Sequence, residues 1–397
     1  MKQKSLNILT IPSFYPQQED SIKGIFFKEQ ANLIARNNLN SAVIYSELRS
    51  VKKVKLKTIL VNRFQTKYYV EDKLLVLRNH SWNYIPTMFE IGSKIWVYRS
   101  VKLARKYIEE YGKPDIIHAH CALFGGYVAK IISQQYNIPY IVTEHSSGFP
   151  LNNLSNWQLR YARDVFDGAA GITVVSNMLK KSIQKYTSDQ RKEIIVIPNF
   201  IDTNFFTLSE KKNNGSSQFI FSAISRLDKN KGIDLLIKAF VNTLKNKNVL
   251  LYVAGEGPEE KNLKKLVSDL GMENKVIFTG VLDRTQVRDL LWKSDCLVST
   301  SEVETFGSIL IEAMSTGLPI LSTKSGGPQD IINHKVGILI NKRNIEEIGK
   351  ALFKMYSSKD SFNRKNIREY ILSNFGPDKI SSKIINLYEE IIIKRQG

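Results

Sequence analysis

The sequence predicts an α/β chain of two Rossmann-like domains, each a doubly wound parallel sheet, facing one another across a cleft. Three observations carry this reading. Apolar runs of strand length alternate with longer amphipathic stretches through both halves. The turns between them are short, which argues for a parallel sheet with helices on both faces. A polar patch, KKNNGSSQ within residues 209–218, reads as a linker between two such series. With 397 residues, each half is long enough to bury its own core.

The first series places strands at residues 6–11, 41–45, 115–119, 140–143, 171–175 and 194–197, and helices at 24–36, 93–111, 125–135, 160–166 and 176–185. Residues 46–83 are less regular and are expected to hold extra strands and loops. The second series places strands at 219–224, 249–254, 276–279, 296–299, 320–323 and 337–340. Its helices fall at 232–244, 259–269, 285–293 and 305–316, the last stopped by Gly317 with Pro319 behind it. Ligands of such sheets sit outside the carboxyl ends of the strands, and every motif below falls there.

A hydrophobic fraction of 43% and a charged fraction of 24% belong to an ordinary globular chain and exclude a disordered or repetitive one. Cys121 and Cys296 lie far apart within or beside apolar runs, as reduced core residues of a cytoplasmic protein do. The apolar run at the N-terminus is short and stopped by Pro12, so it reads as a first strand, not a signal peptide. No run reaches the length of a membrane span.

The net charge of +19 is uneven: residues 1–200 hold 28 Lys plus Arg against 15 Asp plus Glu, and residues 201–397 hold 29 against 23. Such a field suits a polyanion or an anionic membrane face, or reflects a basic background with no partner. Nucleic acid is not expected, since no zinc spacing, RNP pattern or arginine-rich arm is present.

Glu304 and Glu312 stand eight residues apart. On a helix this is about 12 Å, a spacing suited to a sugar joined through a diphosphate to a ribose. Phe306 and Gly307 offer backbone N–H groups between them, where a helix N-terminus attracts an anion. An amphipathic helix with incidental glutamates meets the same pattern. Arg226 and Lys231, in SRLDKNK after the first strand of the second half, are placed to grip phosphate, although loops are also basic for solubility alone. GEGPEE at 255–260 begins like a dinucleotide fingerprint, but a glutamate replaces the last glycine and the unit is not the first βα of its sheet, so NAD is not expected. His118 and His120 (IIHAH) and His145 (VTEHSS) end predicted strands. They suit hydrogen bonds to substrate hydroxyls better than a zinc site, and His118 also fits a purely structural role. The chain lacks a D-x-D triplet for a divalent ion, so charge on a departing diphosphate would be met by Arg226, Lys231 and the helix dipole, without metal.

Together SRLDKNKGIDLLIKAF, VAGEGPE, SEVETFGSILIEAMSTGLPIL and GGPQDII resemble the second domain of retaining GT-B glycosyltransferases of family 4. PSFYP with Gly24 before FFKEQANLIAR, then HAH, TEH, VVSNMLKK and IPNFID, resemble the first. The resemblance implies an acceptor-binding domain at residues 1–205, a donor-binding domain at 206–376, and a terminal helix at 377–397 packing back on the first. Arg226 and Lys231 then match the basic pair on the donor pyrophosphate, Glu304 the contact to the transferred sugar, Glu312 the ribose contact, and Phe306 and Gly307 the phosphate N–H donors. His145 matches the histidine approaching the donor sugar, and Gly24 the loop under the diphosphate. The sequence departs at Phe200, where glycine commonly follows the IPN asparagine.

The activity implied is metal-independent hexosyl transfer with retention and without a cofactor. The donor is a UDP- or GDP-sugar, and the acceptor a glycan or polyprenyl-linked chain of cell-surface polysaccharide synthesis. A sugar phosphorylase, a nucleotide-sugar epimerase and a non-catalytic accessory protein are the alternatives on the same frame. Arg49, Lys52, Lys53, Lys55, Lys57 and Arg63 form one basic cluster, and Lys94, Arg99, Lys102, Arg105 and Lys106 stud a helix that carries Trp96 and Tyr98. Both suit peripheral attachment to an anionic membrane, or a solvated face.

Overall fold

The computed structural model describes residues 6–16, 24–37, 39–50, 66–71, 73–83, 89–208, 218–341, 344–358 and 361–396. The linker patch, apart from Gln218, and the basic residues Lys52, Lys53, Lys55, Lys57 and Arg63 lie outside them. Two compact units are present: residues 1–175 with 179–197 and 381–397, and residues 198–380 with 176–178.

In the first unit the described elements run β1 (Asn7–Pro12), α1 (Ile25–Arg36), β2 (Asn40–Ser50), β3 (Thr66–Glu71), β4 (Leu74–Asn83), α2 (Phe89–Tyr111), β5 (Ile116–His120), α3 (Tyr127–Tyr136), β6 (Tyr140–Glu144), α4 (Asn156–Gly168), β7 (Gly171–Val174), α5 (Asn177–Gln184) and β8 (Ile194–Val196). Strand order is β3-β4-β2-β1-β5-β6-β7-β8. β1 is fully buried at Ile8, Leu9 and Ile11 and sits where the order reverses, between β2 and β5. The carboxyl end of β1 is thus the switch point at which open α/β sheets place a ligand crevice.

Residues 46–83 hold the main departure from an all-parallel sheet. β3 pairs with β4 antiparallel as the edge strand, as mixed sheets allow. β2 and β4 stay paired from Ala42↔Leu75 to Ser50↔Asn83, whereas β1 leaves β2 at Thr10↔Val43. The two strands therefore overhang the sheet's carboxyl edge. Trp96 turns inward, 5% exposed, with its ring edge-on to Phe124 at 5.5 Å. It does not face outward with Tyr98, which is 67% exposed.

The second unit is a parallel sheet in the order β11-β10-β9-β12-β13-β14. Its elements are β9 (Phe219–Ile224), α6 (Ile233–Leu244), β10 (Val249–Ala254), α7 (Glu260–Asp269), β11 (Val276–Gly280), α8 (Arg284–Lys293), β12 (Cys296–Ser299), α9 (Ser308–Ser315), β13 (Ile320–Thr323), α10 (Pro328–Ile331), β14 (Gly337–Ile340), α11 (Ile345–Ser357) and α12 (Arg364–Phe375). Phe221, Leu236, Phe240, Leu251 and Leu352 centre its core. The terminal helix α13 (Pro377–Gln396) counts with the first unit from Ser381 onward. Among the described residues no helix is long and apolar enough to cross a membrane.

The helix expected at 305–316 begins three residues late. Gly307 caps it with φ 96, a left-handed conformation that an α-helix does not continue through. Phe306 and Glu304 thus belong to the loop before it. The span between Glu304 and Glu312 is not a helical rise.

Candidate functional site

In the second unit the site is assembled from strand-end loops that hold one another in place. After β9 the chain turns through Ser225, Arg226 and Leu227. The two glycines of GEGPEE lie directly beneath that turn. A Cβ on Gly255 would stand 1.9 Å from the Ser225 carbonyl oxygen, and one on Gly257 would stand 2.2 Å from that of Leu227. Leu227 N–H donates to Glu256 O at 2.9 Å, and Glu259 N–H to Leu227 O at 3.0 Å. Close packing of two loops accounts for the glycine pair.

The turn Lys229–Lys231 is stapled to the loop before α9 by Asn230. Its side-chain amide donates to Val303 O at 2.9 Å, its Oδ1 accepts from Val303 N–H at 3.0 Å, and its carbonyl accepts from Glu302 N–H at 2.7 Å. Thr300 Oγ1 adds bonds to the carbonyls of Lys231 (2.9 Å) and Gly232 (3.0 Å). On this frame Lys231 Nζ meets Glu304 Oε2 at 2.7 Å, with 21% and 19% of the two side chains exposed. The backbone of Glu304 is held as firmly: its N–H donates to Ser325 O at 3.0 Å and its carbonyl accepts from Gly327 N–H at 2.8 Å. Gly327 lies against Phe306, where a Cβ would stand 2.5 Å from Phe306 Cα.

The structure thus brings together Lys231, Glu304, Phe306 and Gly307. Glu312 is half-buried on α9. Arg226 points outward: its side chain is 73% exposed, and Asp228 is its charged neighbour at 3.7 Å. Sequence reasoning missed Asn230, since an asparagine in a turn carries no sign of which loop it will bond.

In the first unit His118, His120 and His145 gather at the carboxyl ends of β5 and β6. His118 is used up internally, with Nδ1 2.6 Å from the Tyr388 hydroxyl and Nε2 2.7 Å from Thr143 Oγ1; it is the structural histidine of the three. His120 Nδ1 and His145 Nε2 are 3.2 Å apart. That leaves His120 Nε2 and His145 Nδ1 buried without a hydrogen-bond partner among the described residues. Phe26 and Phe27 pack on His145 at 4.9 and 5.1 Å. Gly24, with φ 82, caps α1; a Cβ there would lie 3.0 Å from the backbone of Phe14 and Tyr15. Glu144, fully buried, accepts from Ala122, His145 and Ser146 N–H at 2.7, 2.9 and 2.8 Å and so fixes the loop carrying His145.

Burial holds His118 and His145 down to about 3, and His120 well below its ordinary value, so all three are neutral near pH 7. Burial also raises the Glu144 carboxyl, against the three N–H donors that lower it. Between pH 6.5 and 3 the unfolded chain takes up histidine protons that the folded unit refuses. Stability from His118 is therefore complete above about pH 6.5 and falls by about 1.4 kcal/mol per pH unit as the pH drops toward 3. Glu144 works the other way and offsets part of the loss. Urea midpoints measured from pH 7 to 4 are expected to fall with acid, with a shallower slope in His118→Gln; a flat or rising profile would refute this assignment.

A second buried cluster went unread. Glu47, fully buried on the β2 overhang, lies 2.6 Å from Arg49 Nε, 3.6 Å from an Arg78 guanidinium nitrogen and 3.3 Å from His80 Nδ1. Arg78 also donates to the Pro16 carbonyl and lies over the rings of Tyr15 and Tyr45 at 5.5 and 5.8 Å. Charged residues inside the β4 sequence LLVLRNHSWN were the available signal.

Comparison with known proteins gives a consistent picture. Residues 204–372 match the family described as glycosyl transferases group 1, and residues 62–205 that described as glycosyltransferase family 4. The chain is 27% identical over 296 residues to N-acetyl-alpha-D-glucosaminyl L-malate synthase of Bacillus anthracis, covering 70% of this chain and 75% of that one. It is 24% identical over 362 residues to the putative teichuronic acid biosynthesis glycosyltransferase TuaC of Bacillus subtilis, covering 87% and 88%. Among solved structures, sucrose-phosphate synthase from Thermosynechococcus elongatus superposes with a TM-score of 0.80 at 18% identity, covering 98% of this chain and 100% of that one. Anabaena HepE in complex with UDP-glucose gives 0.71 at 20%, covering 97% and 100%. These two likenesses concern the fold, and they give the two parallel-sheet units a GT-B architecture. With the two family matches together spanning residues 62–372, the chain belongs to glycosyltransferase family 4.

Proposed function

We propose that this glycosyltransferase moves a sugar from a nucleoside diphosphate, UDP or GDP, to a glycan or lipid-linked acceptor with retention at the anomeric carbon and without a metal ion. The observation that carries the reading is the Lys231–Glu304 pair at 2.7 Å, held at the strand ends beside the start of α9. Lys231 and the N–H groups at the start of α9 supply the positive field that a departing diphosphate needs. Arg226, exposed on the neighbouring turn, adds a second cation. Glu304 would take the sugar hydroxyls and Glu312 the ribose.

In the first domain, the Nδ1 of His145, without a hydrogen-bond partner among the described residues, is the group assigned to a sugar hydroxyl, and Gly24, which lets the early loop pack on Phe14 and Tyr15, is assigned a part in donor binding. We assign the chemistry to same-face displacement. The bond from C1 to the phosphate oxygen breaks, the bond from C1 to the acceptor oxygen forms, and the acceptor proton passes to the phosphate oxygen that leaves. Glu304 shares its charge with Lys231, which makes it a poor nucleophile for the rival covalent route. The UDP-glucose named with HepE favours UDP, and the teichuronic acid biosynthesis named with TuaC favours a glycan product.

A thermal-shift comparison of UDP, GDP and ADP tests the donor. At a hundredfold excess over its dissociation constant the true nucleotide stabilises by about 2.7 kcal/mol. UDP is expected to give the largest shift. No shift with any of the three would overturn the donor reading, and sugar phosphate formed from inorganic phosphate would replace it with phosphorolysis.

A further inference from the structure

A cavity of about 820 Å³ lies along the outer face of α2, outside the residues assigned to transfer. Its lining runs along that helix from Lys94 to Glu110, about 24 Å at about 1.5 Å per residue. α2 leaves the carboxyl end of β4 and returns to the amino end of β5. The Lys94 end of the groove is therefore level with the histidines, and the Glu110 end lies at the opposite edge of the sheet.

The Lys94 end is aromatic. Tyr98 is 67% exposed, and Tyr127 and Tyr161 stack at 4.4 Å with 5° between their planes. Val97, Val101 and Ile131 line the groove with them, while Lys102 and Arg105 are exposed cations among its lining residues. A flat bilayer needs a protruding apolar face, and here the apolar groups line a hollow while Trp96 is buried inside the fold. A single small ligand does not need 24 Å. A chain of sugars carrying carboxylates or phosphates matches the length, the flat aromatic faces and the cations together.

We propose that this groove binds the body of an acidic oligosaccharide, several residues back from the sugar that accepts transfer. Its rings lie on Tyr98 and the Tyr127–Tyr161 stack, and its anionic groups meet Lys94, Lys102 and Arg105. The proposal rests on the reading of the first unit as the acceptor domain.

Calorimetric titration of the full chain with hexagalacturonate and with maltohexaose, in the absence of nucleotide, tests it. The charged hexamer is expected to bind more tightly than the neutral one, and added salt to weaken it. Tyr98→Ala and Lys102→Glu should each lower its affinity about tenfold, with the UDP thermal shift unchanged. Three results overturn the groove: no binding of hexagalacturonate by a protein that UDP still stabilises, equal binding of both hexamers, or substitutions that abolish sedimentation with anionic vesicles while leaving hexagalacturonate affinity intact. A protein that binds hexagalacturonate with the expected variant losses, yet no nucleotide, upholds the groove and overturns the donor reading instead.

Discussion

Replacing Glu304 with glutamine is expected to remove transfer by a factor of about 10²–10³ while leaving the fold and nucleotide uptake in place. The side chain and the backbone of this residue do separate jobs. The backbone is fixed by Ser325 and Gly327, and a glutamine keeps those bonds. The carboxylate alone holds Lys231 at 2.7 Å and, on the proposed reading, the sugar. A partly exposed pair of this kind contributes only about 0–1 kcal/mol to stability, so the melting temperature should barely move. The UDP shift should persist, because Lys231 remains. Product formation close to that of the parent protein would remove Glu304 from the mechanism, and a large drop in melting temperature would assign it to structure instead.

Gly255→Ala is expected to have the largest effect on stability. The added Cβ would fall 1.9 Å from a backbone oxygen, that of Ser225, and the residue sits at φ 125. Neither problem is relieved by turning a side chain. Overpacking of a tight site costs about 1–3 kcal/mol, and holding a non-glycine residue in a sparsely populated backbone region adds about 1–3 kcal/mol. The turn bearing Arg226 must move to make room, so nucleotide binding should weaken as well. Gly271→Ala is the matched control: its φ of 62 is strained, but nothing lies within 4 Å of the new Cβ. Urea midpoints should fall much further for Gly255→Ala than for Gly271→Ala; equal losses would show that backbone strain alone, not the packing of two loops, explains the glycine.

The parallel strands other than β4 could be read from the sequence because each is a short apolar run bounded by turn residues, and buried parallel strands need little else. Loops at their carboxyl ends followed from the same rule. What the sequence hid was the bonding between loops. Asn230 and Thr300 look like ordinary turn and strand-end residues, yet they fix the distance between Lys231 and Glu304. The start of α9 was misplaced because the apolar periodicity of residues 306–314 continues through Gly307, and only the sign of its φ reveals the break. The overhang of β2 and β4 was hidden for a related reason: ELRS and RNHSWN carry charges inward, where period-two alternation would place apolar groups. His118 could be named a candidate but not resolved, since its partner Tyr388 lies 270 residues away.

The contact between Lys231 and Glu304 also bears on how the enzyme lets go. If the cation turns to an arriving diphosphate, the carboxylate loses its partner and needs another, which a sugar hydroxyl on the intact donor supplies. Spent nucleotide has the diphosphate but no sugar, so it would draw Lys231 away and leave Glu304 stranded. On the proposed reading the two side chains would act as a latch that closes fully on the donor and incompletely on the product, biasing the site toward discharge after each turnover.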